Sequence, residues 1–395
     1  MAPSRTTSLL LNAAHALDHM FLLIFATAVG AIAVDFGVAG WEDLMPYGAG
    51  AFLMFGLGSI PAGRLGDLWG RRAMMLIFFF GMGASSLLVA ATNSPWQMGI
   101  ALALLGLFSA IYHPVGIPML VQAAKRPGSV IGINGLAGNL GIAAAALATG
   151  FLVKWGGWRM AFIVPGLVTI ALGFLFAWVT PAETEAPSKR KPTIKAIPPS
   201  MMVRVLFVLT AVAISASLLF NFTTNGNAEL MRERFAGILE DPAMLGIVLA
   251  VVYTIGALSQ VVVGELIDRV PLKRLFLAIV ALQAPLFLLA AHATGWWFAV
   301  LAAGYMVSLF GAIPFTDALV VRYIDDRMRS RVTGMRLAIS FGVSSAAVWA
   351  LGPFVKAAGF DTLLLTMAGI ALFSVAFVLY LPTEPPAESV VPQPG

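Results

Sequence analysis

The sequence predicts an all-α membrane protein with twelve transmembrane helices in two pseudo-symmetric six-helix bundles. Three observations carry this. The 395 residues are 59% hydrophobic and only 11% charged, with mean hydropathy +0.91, whereas soluble domains are about 25% charged. Twelve stretches reach the roughly 20 apolar residues that cross a bilayer. A segment of the first half also recurs in the second. Such a chain lacks the polar surface of a soluble enzyme and the charge of a disordered one. The absence of cysteine excludes a disulfide framework, a thiolate zinc site and a cysteine nucleophile.

In order, the expected spans are 8–34, 44–63, 73–92, 97–122, 129–153 and 159–179, then 204–225, 244–263, 274–292, 296–321, 332–356 and 360–381. His15, Asp18 and His19 interrupt any signal-peptide core, and the apolar run continues to full span length, so the first helix is expected to be retained. Between the sixth and seventh spans lie Pro181, Pro187, Pro192, Pro198 and Pro199 with the basic run Lys189-Arg190-Lys191 and Lys195. That composition reads as a linker. The organisation is an N-terminal bundle over 1–180, a cytoplasmic linker over 181–203, and a C-terminal bundle with a short cytoplasmic tail over 204–395.

The basic residues set the orientation. With the N-terminus inside, nineteen of the 24 Lys and Arg fall on one side, leaving Lys154, Arg159, Arg232, Arg234 and Lys356 on the other. The positive-inside rule makes the first side cytoplasmic, with both termini there. The net charge of +5 and pI near 9.6 are thereby topology signals, and no nucleic-acid partner is expected.

The repeat joins Gly63-Arg64-Leu65-Gly66-Asp67-Leu68-Trp69-Gly70-Arg71-Arg72 to Gly264-Glu265-Leu266-Ile267-Asp268-Arg269. It also joins Leu107-Phe108-Ser109-Ala110-Ile111 to Leu309-Phe310-Gly311-Ala312-Ile313. The offsets are nearly equal, as duplicated six-span halves require. Transporters built from such parallel halves hold their site near the midplane between them.

The 63–72 segment resembles the signature loop of the major facilitator superfamily, and 264–274 is similar to its weaker second copy. The likeness covers essentially the whole chain. It implies transport by alternating access, with Gly63, Asp67, Gly70, Arg71, Arg72, Asp268 and Arg269 gating the cytoplasmic side. The plainer alternative is a positive-inside anchor. Asp18, Tyr112-His113-Pro114 and Gly138-Asn139-Leu140-Gly141 resemble the fosmidomycin-resistance-like branch. Two departures from drug antiporters stand out: the fifth span has no glycine-proline pair, and the fourth has His113 as its only titratable base.

Ionisable groups inside a bilayer are expensive and count as functional candidates. Asp18 lies about 15 Å into the first span at 1.5 Å per residue. Asn12, His15 and His19 share a helical face beside it. Asp18 and His15 are expected either to handle a proton or to form a hydrogen-bonded packing pair, and His113 either to assist or to be a satisfied core histidine. Pro114 frees a backbone carbonyl next to His113 and bends that helix. Asn12, His19, Tyr112, Asn221, Asn225, Tyr253, Gln260, Asp317, Arg336 and Ser340 are the candidate substrate-binding residues. Arg336 either pairs with Asp317 or Asp18, or holds an anionic solute, or snorkels at a helix end. The uncharged groups either bind solute or glue helices together.

No phosphate loop is present, and the sequence spacing of the four histidines matches no metal motif. No cofactor, metal or enzymatic activity is expected. The expectation is a monomeric multi-pass protein of the plasma (inner) membrane, in contact with lipid. It would export a drug or metabolite by proton antiport, or alternatively take up an organic anion by proton symport. A non-transporting receptor or scaffold is the reading from another class.

Overall fold

The computed structural model describes residues 3–121, 127–181, 199–267, 269–323 and 326–382. Asp268 and the side chains of Asp67 and Asp317 lie outside the described residues, as do most of the expected linker and tail. Eleven helices are long and apolar enough to cross a membrane, and no strand occurs among the described residues. This composition follows from the solvent. In hydrocarbon a backbone amide has no water to bond, so each span must satisfy its own amides as a helix.

The first six helices are α1 (Arg5–Asp35), α2 (Ala49–Trp69), α3 (Arg71–Ala90), α4 (Pro95–Val121), α5 (Pro127–Gly156) and α6 (Trp158–Val179). The other five are α7 (Pro199–Arg234), α8 (Pro242–Ile267), α9 (Leu272–Ala291), α10 (Gly295–Tyr323) and α11 (Asp326–Tyr380). Local chemistry sets several ends. Ser4 caps α1 by accepting from the Thr7 amide at 3.1 Å, and Ser94 caps α4 with Pro95 in its first turn, where a missing amide proton is harmless. The helix α7 begins at Pro199, inside the stretch read as linker, for the same reason. Gly70, at φ 89°, makes the sharp turn from α2 into α3.

Two differences from the sequence reading have physical causes. Gly63 and Gly66 are not in a loop: α2 stays helical to Trp69, and Gly70 alone turns the chain. The break expected near 356–360 is not a loop either. The helix α11 runs for 55 residues with one non-helical residue, Gly359 at φ 77° and ψ 167°. A straight helix of that length would extend about 80 Å, far beyond a hydrocarbon core of about 30 Å, so the kink at Gly359 is the point where the chain changes direction.

Packing divides by sequence. Helix α1 lies on α5 and α6, α2 on α4, and α3 on α4 and α6; α7 lies on α10 and α11, α8 on α10, and α9 on α10 and α11. The two sets meet where α5 crosses α8 and α2 crosses α11. Small residues bring backbones together both within a set, where α5 meets α1, and between the sets, where α5 meets α8. A Cβ on Gly141 would sit 2.0 Å from the Ala16 carbonyl oxygen, and one on Gly246 would sit 2.7 Å from that of Ala146.

The described ion pairs that join the two sets lie where α1, α5 and the first limb of α11 end and where α8 begins. Lys154 pairs with Asp241. Lys356 reaches both carboxylate oxygens of Asp43 at 2.6 Å. Trp41 stacks on Phe360 beside them, with ring centroids 5.8 Å apart.

Gly141→Val drives a side chain into the α1 backbone, and is expected to cost about 1–3 kcal/mol and lower the melting temperature of the purified protein. Gly135→Ala, whose new Cβ would find its nearest neighbour at 3.9 Å, is expected to leave it unchanged. Equal melting temperatures for the two variants would refute the close-packing account.

Candidate functional site

The polar residues of α1 converge on a break in α4. Around Pro114 the helix passes through a π-helical turn, Tyr112–Gly116. Proline has no amide to donate and crowds the preceding turn, and π turns accommodate this by widening the helix. The turn carries Tyr112 and His113 toward α1.

Asp18 is fully buried. Its Oδ1 accepts a hydrogen bond from the Ser109 hydroxyl, while Oδ2 has no hydrogen-bond partner and faces His113 Nε2 at 3.5 Å. His15 is 5% exposed. Its Nδ1–H donates to the Asn134 carbonyl oxygen at 2.7 Å; a carbonyl only accepts, so in the neutral ring Nε2 is the bare nitrogen. The His15 ring stacks on Tyr112 with centroids 4.7 Å apart. The Asn134 amide donates to Asn12 Oδ1 at 2.8 Å and to the Tyr112 hydroxyl at 2.7 Å. Gly138 leaves room for the imidazole: a Cβ there would lie 2.7 Å from His15 Nε2.

Next to this cluster is a cavity of about 270 Å³, close to the lower limit of about 300 Å³ typical of drug-sized sites. Residues of both helix sets line it. His19 of α1, with Phe52 and Phe55 of α2, faces Phe220, Asn221 and Thr224 of α7, Gln283 of α9, and Arg336, Ser340, Phe341 and Ser344 of α11. The wall is mostly apolar and aromatic. Phe55 and Phe341 stack across the two sets with centroids 4.0 Å apart. Asn221 donates to Ser344 Oγ at 2.7 Å, and Arg336 donates to the Thr316 hydroxyl.

The sequence candidates therefore separate. Asn12, His15, Asp18, Tyr112 and His113 come together against α5. His19, Asn221, Arg336 and Ser340 line the cavity. Asn225, Tyr253 and Gln260 do not. Asn225 donates to the Asn221 carbonyl at 3.2 Å, Tyr253 to the Thr224 carbonyl at 3.2 Å, and Gln260 accepts from Asn139. These are helix-to-helix or within-helix bonds, the role polar residues take inside bundles. Among the residues named for gating, Arg72 donates to the carbonyls of Thr180 and Ala177 at 2.6 and 2.7 Å. Arg71 reaches the Pro118 carbonyl at 3.3 Å, and Arg269 lies 3.8 Å from Glu265. Ser109, Asn134, Gln283, Thr224 and the aromatic wall were missed. Ser109 alone left a trace, standing in the repeat where the second half has Gly311.

The sequence model of the Major Facilitator Superfamily matches residues 10–235 and 219–395. The chain belongs to the Major Facilitator Superfamily. Membership places it among multi-pass membrane transporters, not enzymes. The superfamily fold is also that of a bacterial homologue of the human lysosomal transporter Spinster. In its inward-facing, occupied conformation that structure superposes with TM-score 0.70 at 15% identity, over 95% of this chain and 93% of the other. Its unoccupied inward-facing form gives 0.67 at 15%, over 95% and 94%. The puromycin resistance protein of Streptomyces alboniger is 31% identical over 121 residues, 30% of this chain and 24% of that protein. The probable actinorhodin transporter of Streptomyces coelicolor is 31% identical over 29% of this chain and 21% of its own. The gallate transporter of Pseudomonas putida is 24% identical over 32% and 28%. The matched region thus spans about a quarter of the length of these curated relatives.

Ser109→Ala strips the one described hydrogen bond from a buried carboxylate, a loss of about 1–3 kcal/mol. In an Asp18→Asn background the same change is expected to cost less, because the group left behind is neutral. Thermal unfolding of the four proteins of this cycle measures the difference. Additive losses would show that the Ser109–Asp18 bond carries no charge-assisted energy.

Proposed function

We propose that this superfamily member is a proton-coupled exporter that moves an apolar, aromatic-bearing solute through the cavity between its two halves, with Asp18 as the proton site. The observation that carries the reading is the cavity itself, lined from both helix sets mainly by apolar and aromatic side chains, with a few uncharged polar groups, His19 and Arg336. Such a wall favours flat organic molecules over sugars or inorganic ions. The names of the relatives, a puromycin resistance protein and a probable actinorhodin transporter, support export of an organic solute, as does the resemblance to the fosmidomycin-resistance-like branch.

The mechanism follows from placement. Asp18 and His19 are neighbours on α1, so one faces the break in α4 while the other faces the cavity. Protonating Asp18 removes a buried charge and alters its contact with His113. Loading the cavity shifts His19 on the same helix. Each event therefore biases α1, which is the coupling that antiport needs.

On this reading the chain crosses the membrane twelve times, with the two limbs of α11 on either side of Gly359 counted separately. It acts as a monomer in the plasma (inner) membrane with both termini in the cytoplasm. Its halves, 1–180 and 204–395, rock about the site. The ion pairs Lys154–Asp241 and Lys356–Asp43 then close the outer end, the arrangement expected of an inward-facing state. Gly63, Asp67, Gly70, Arg71, Arg72, Asp268 and Arg269 close the inner end in the opposite state.

A second reading rests on Arg336. A guanidinium at the cavity wall suits an aromatic carboxylate, and one relative is a gallate transporter, so proton-coupled uptake of an organic anion is the alternative. Everted vesicles that accumulate an aromatic drug against its gradient support export; accumulation of benzoate-type anions by right-side-out vesicles supports uptake.

Asp18→Asn is expected to abolish solute-driven proton movement in proteoliposomes while leaving solute binding measurable. Full coupling in that variant would remove Asp18 from the mechanism.

The outer ion pairs carry a pH dependence. The Lys154 ammonium holds the exposed Asp241 carboxyl below the usual carboxylate range. A lowered value stabilises the closed outer end above that range, and the stabilisation is lost as pH falls through the Asp241 value. Spin labels on cysteines replacing Trp155 and Met244, in a chain otherwise free of cysteine, report the separation across the pair. Lys154→Gln, alone or with Lys356→Gln, is expected to lengthen it at neutral pH, and acid is expected to lengthen it in the parent. An unchanged distance distribution in all of these samples would show that the pairs do not hold the end closed.

A further inference from the structure

Three of the four histidines meet at one point. His15 and His19 are spaced i, i+4 on α1 and project from one face, the spacing that lets two imidazoles share an ion. The π turn of α4 adds His113. One ring nitrogen from each lies within 4.8 Å of the others, and the ring centroids are 4.7 Å apart for His15 and His19 and 5.1 Å for His15 and His113.

We propose that His15, His19 and His113 form a binding site for one divalent transition-metal ion of the zinc type, reached from the central cavity. Four features support it. The Nε2 atom of His15 is buried and has no hydrogen-bond partner, while its Nδ1–H is anchored on the Asn134 carbonyl at 2.7 Å. Metal-ligating histidines have this arrangement, one nitrogen bare and the other held by an acceptor. Tyr112 stacks on the same ring and fixes its plane. Asp18, wholly buried beside His113, places a carboxylate next to the three rings, and in its ionised form this offsets a dication in a low-dielectric interior. His19 lines the cavity, which gives the ion an entry path and leaves its fourth position to water.

The ligand chemistry chooses the ion. Three neutral imidazoles suit zinc, copper, nickel or cobalt and bind magnesium and calcium poorly, since those demand oxygen ligands. Tetrahedral zinc with bonds of about 2.0–2.1 Å brings nitrogens to roughly 3.3 Å apart. Rotation of His19 and His113, neither of them fully buried, closes the remaining distance against the fixed His15.

The test uses the purified full-length protein prepared without a polyhistidine tag and titrated with zinc chloride in a calorimeter. No solute or proton gradient is present, so the outcome is independent of the proposed coupling. One zinc per chain is expected. His19→Asn and His113→Asn are each expected to weaken it by about tenfold or more, while His292→Asn, which alters the exposed fourth histidine, leaves it unchanged. Zinc is also expected to raise the melting temperature of the parent by mass action and not that of His19→Asn. Because that comparison is made within each protein, a variant that is merely less stable is recognised by its metal-free melting point. Cobalt(II) is expected to give the intense visible bands of a four-coordinate site. Absence of saturable zinc binding, its persistence when all three histidines are replaced, or its loss in His292→Asn would overturn the assignment.

Discussion

A bilayer interior offers no water, and a carboxylate placed there must be surrounded by the protein's own dipoles or give up its charge. Asp18 is the residue on which this constraint falls hardest, and much of the first half is arranged around it. The Ser109 hydroxyl points at it, the π turn at Pro114 brings His113 to it, and the neighbouring His15 occupies the space that Gly138 vacates. A straight, proline-free α4 would carry Tyr112 and His113 on a different face. The break in regular structure is thus tied to the buried charge, as local irregularity in spanning helices is tolerated only where it serves protein rather than lipid.

The same arrangement links the charge to the cavity. One helix carries both: Asp18 faces α4 and the next residue, His19, faces the space lined by Phe55, Asn221 and Arg336. Neighbouring positions on a helix diverge by about 100°, so α1 presents two surfaces with different chemistry to two different partners. Its other contacts are close. Helix α5 packs so tightly that a methyl group at Gly141 would strike the α1 backbone, and α5 in turn crosses α8 of the second half. A shift in α1 therefore passes to α5 and on to the junction of the halves without any dedicated relay, because tightly packed interfaces move as units.

Much of the fold could be read from the chain because the bilayer restricts the alternatives so severely. Hydropathy located most spans to within a few residues, although α7 runs to Arg234, well past the expected end at 225, and the last two expected spans are the two limbs of α11; the repeat placed equivalent segments on α2 and α8 and on α4 and α10. What escaped was governed by single residues. Gly359 replaces a loop with a kink, and Gly70 turns the chain where a longer loop was expected. At the site, charge scarcity singled out Asp18, His15 and His113 one by one, and the structure brings His113 to 3.5 Å from Asp18. The uncharged groups were harder. Asn221 and Gln260 look alike in sequence, both amides in apolar helices, yet one faces the cavity and the other bonds to Asn139. Which way an amide faces depends on helix rotation, and the helices here are apolar on all sides, so no amphipathic stripe marks that rotation. For the same reason the metal-like meeting of His113 with His15 and His19 was invisible, since it depends on the π turn and not on spacing along the chain.

The repeat also shows how the halves have diverged. At the offset that aligns Leu107–Ile111 with Leu309–Ile313, Ser109 corresponds to Gly311 and His113 to Phe315. Phe315 is fully buried and stacks on Phe276 with centroids 4.4 Å apart. Where the first half has a hydroxyl and an imidazole beside a carboxylate, the second has a glycine packed close to Val263 and a ring in its apolar core. The second half instead supplies most of the cavity's uncharged hydrogen-bonding groups and Arg336. A symmetric ancestor with two equal sites would place ionisable clusters in both halves. Among the described residues next to the cavity, the first half holds the buried carboxylate with its histidines and the second most of the contacts suited to a solute. On the proposed mechanism this separation lets the solute wall vary without disturbing the carboxylate, and it explains why the two halves keep a common frame while their interiors share so little chemistry.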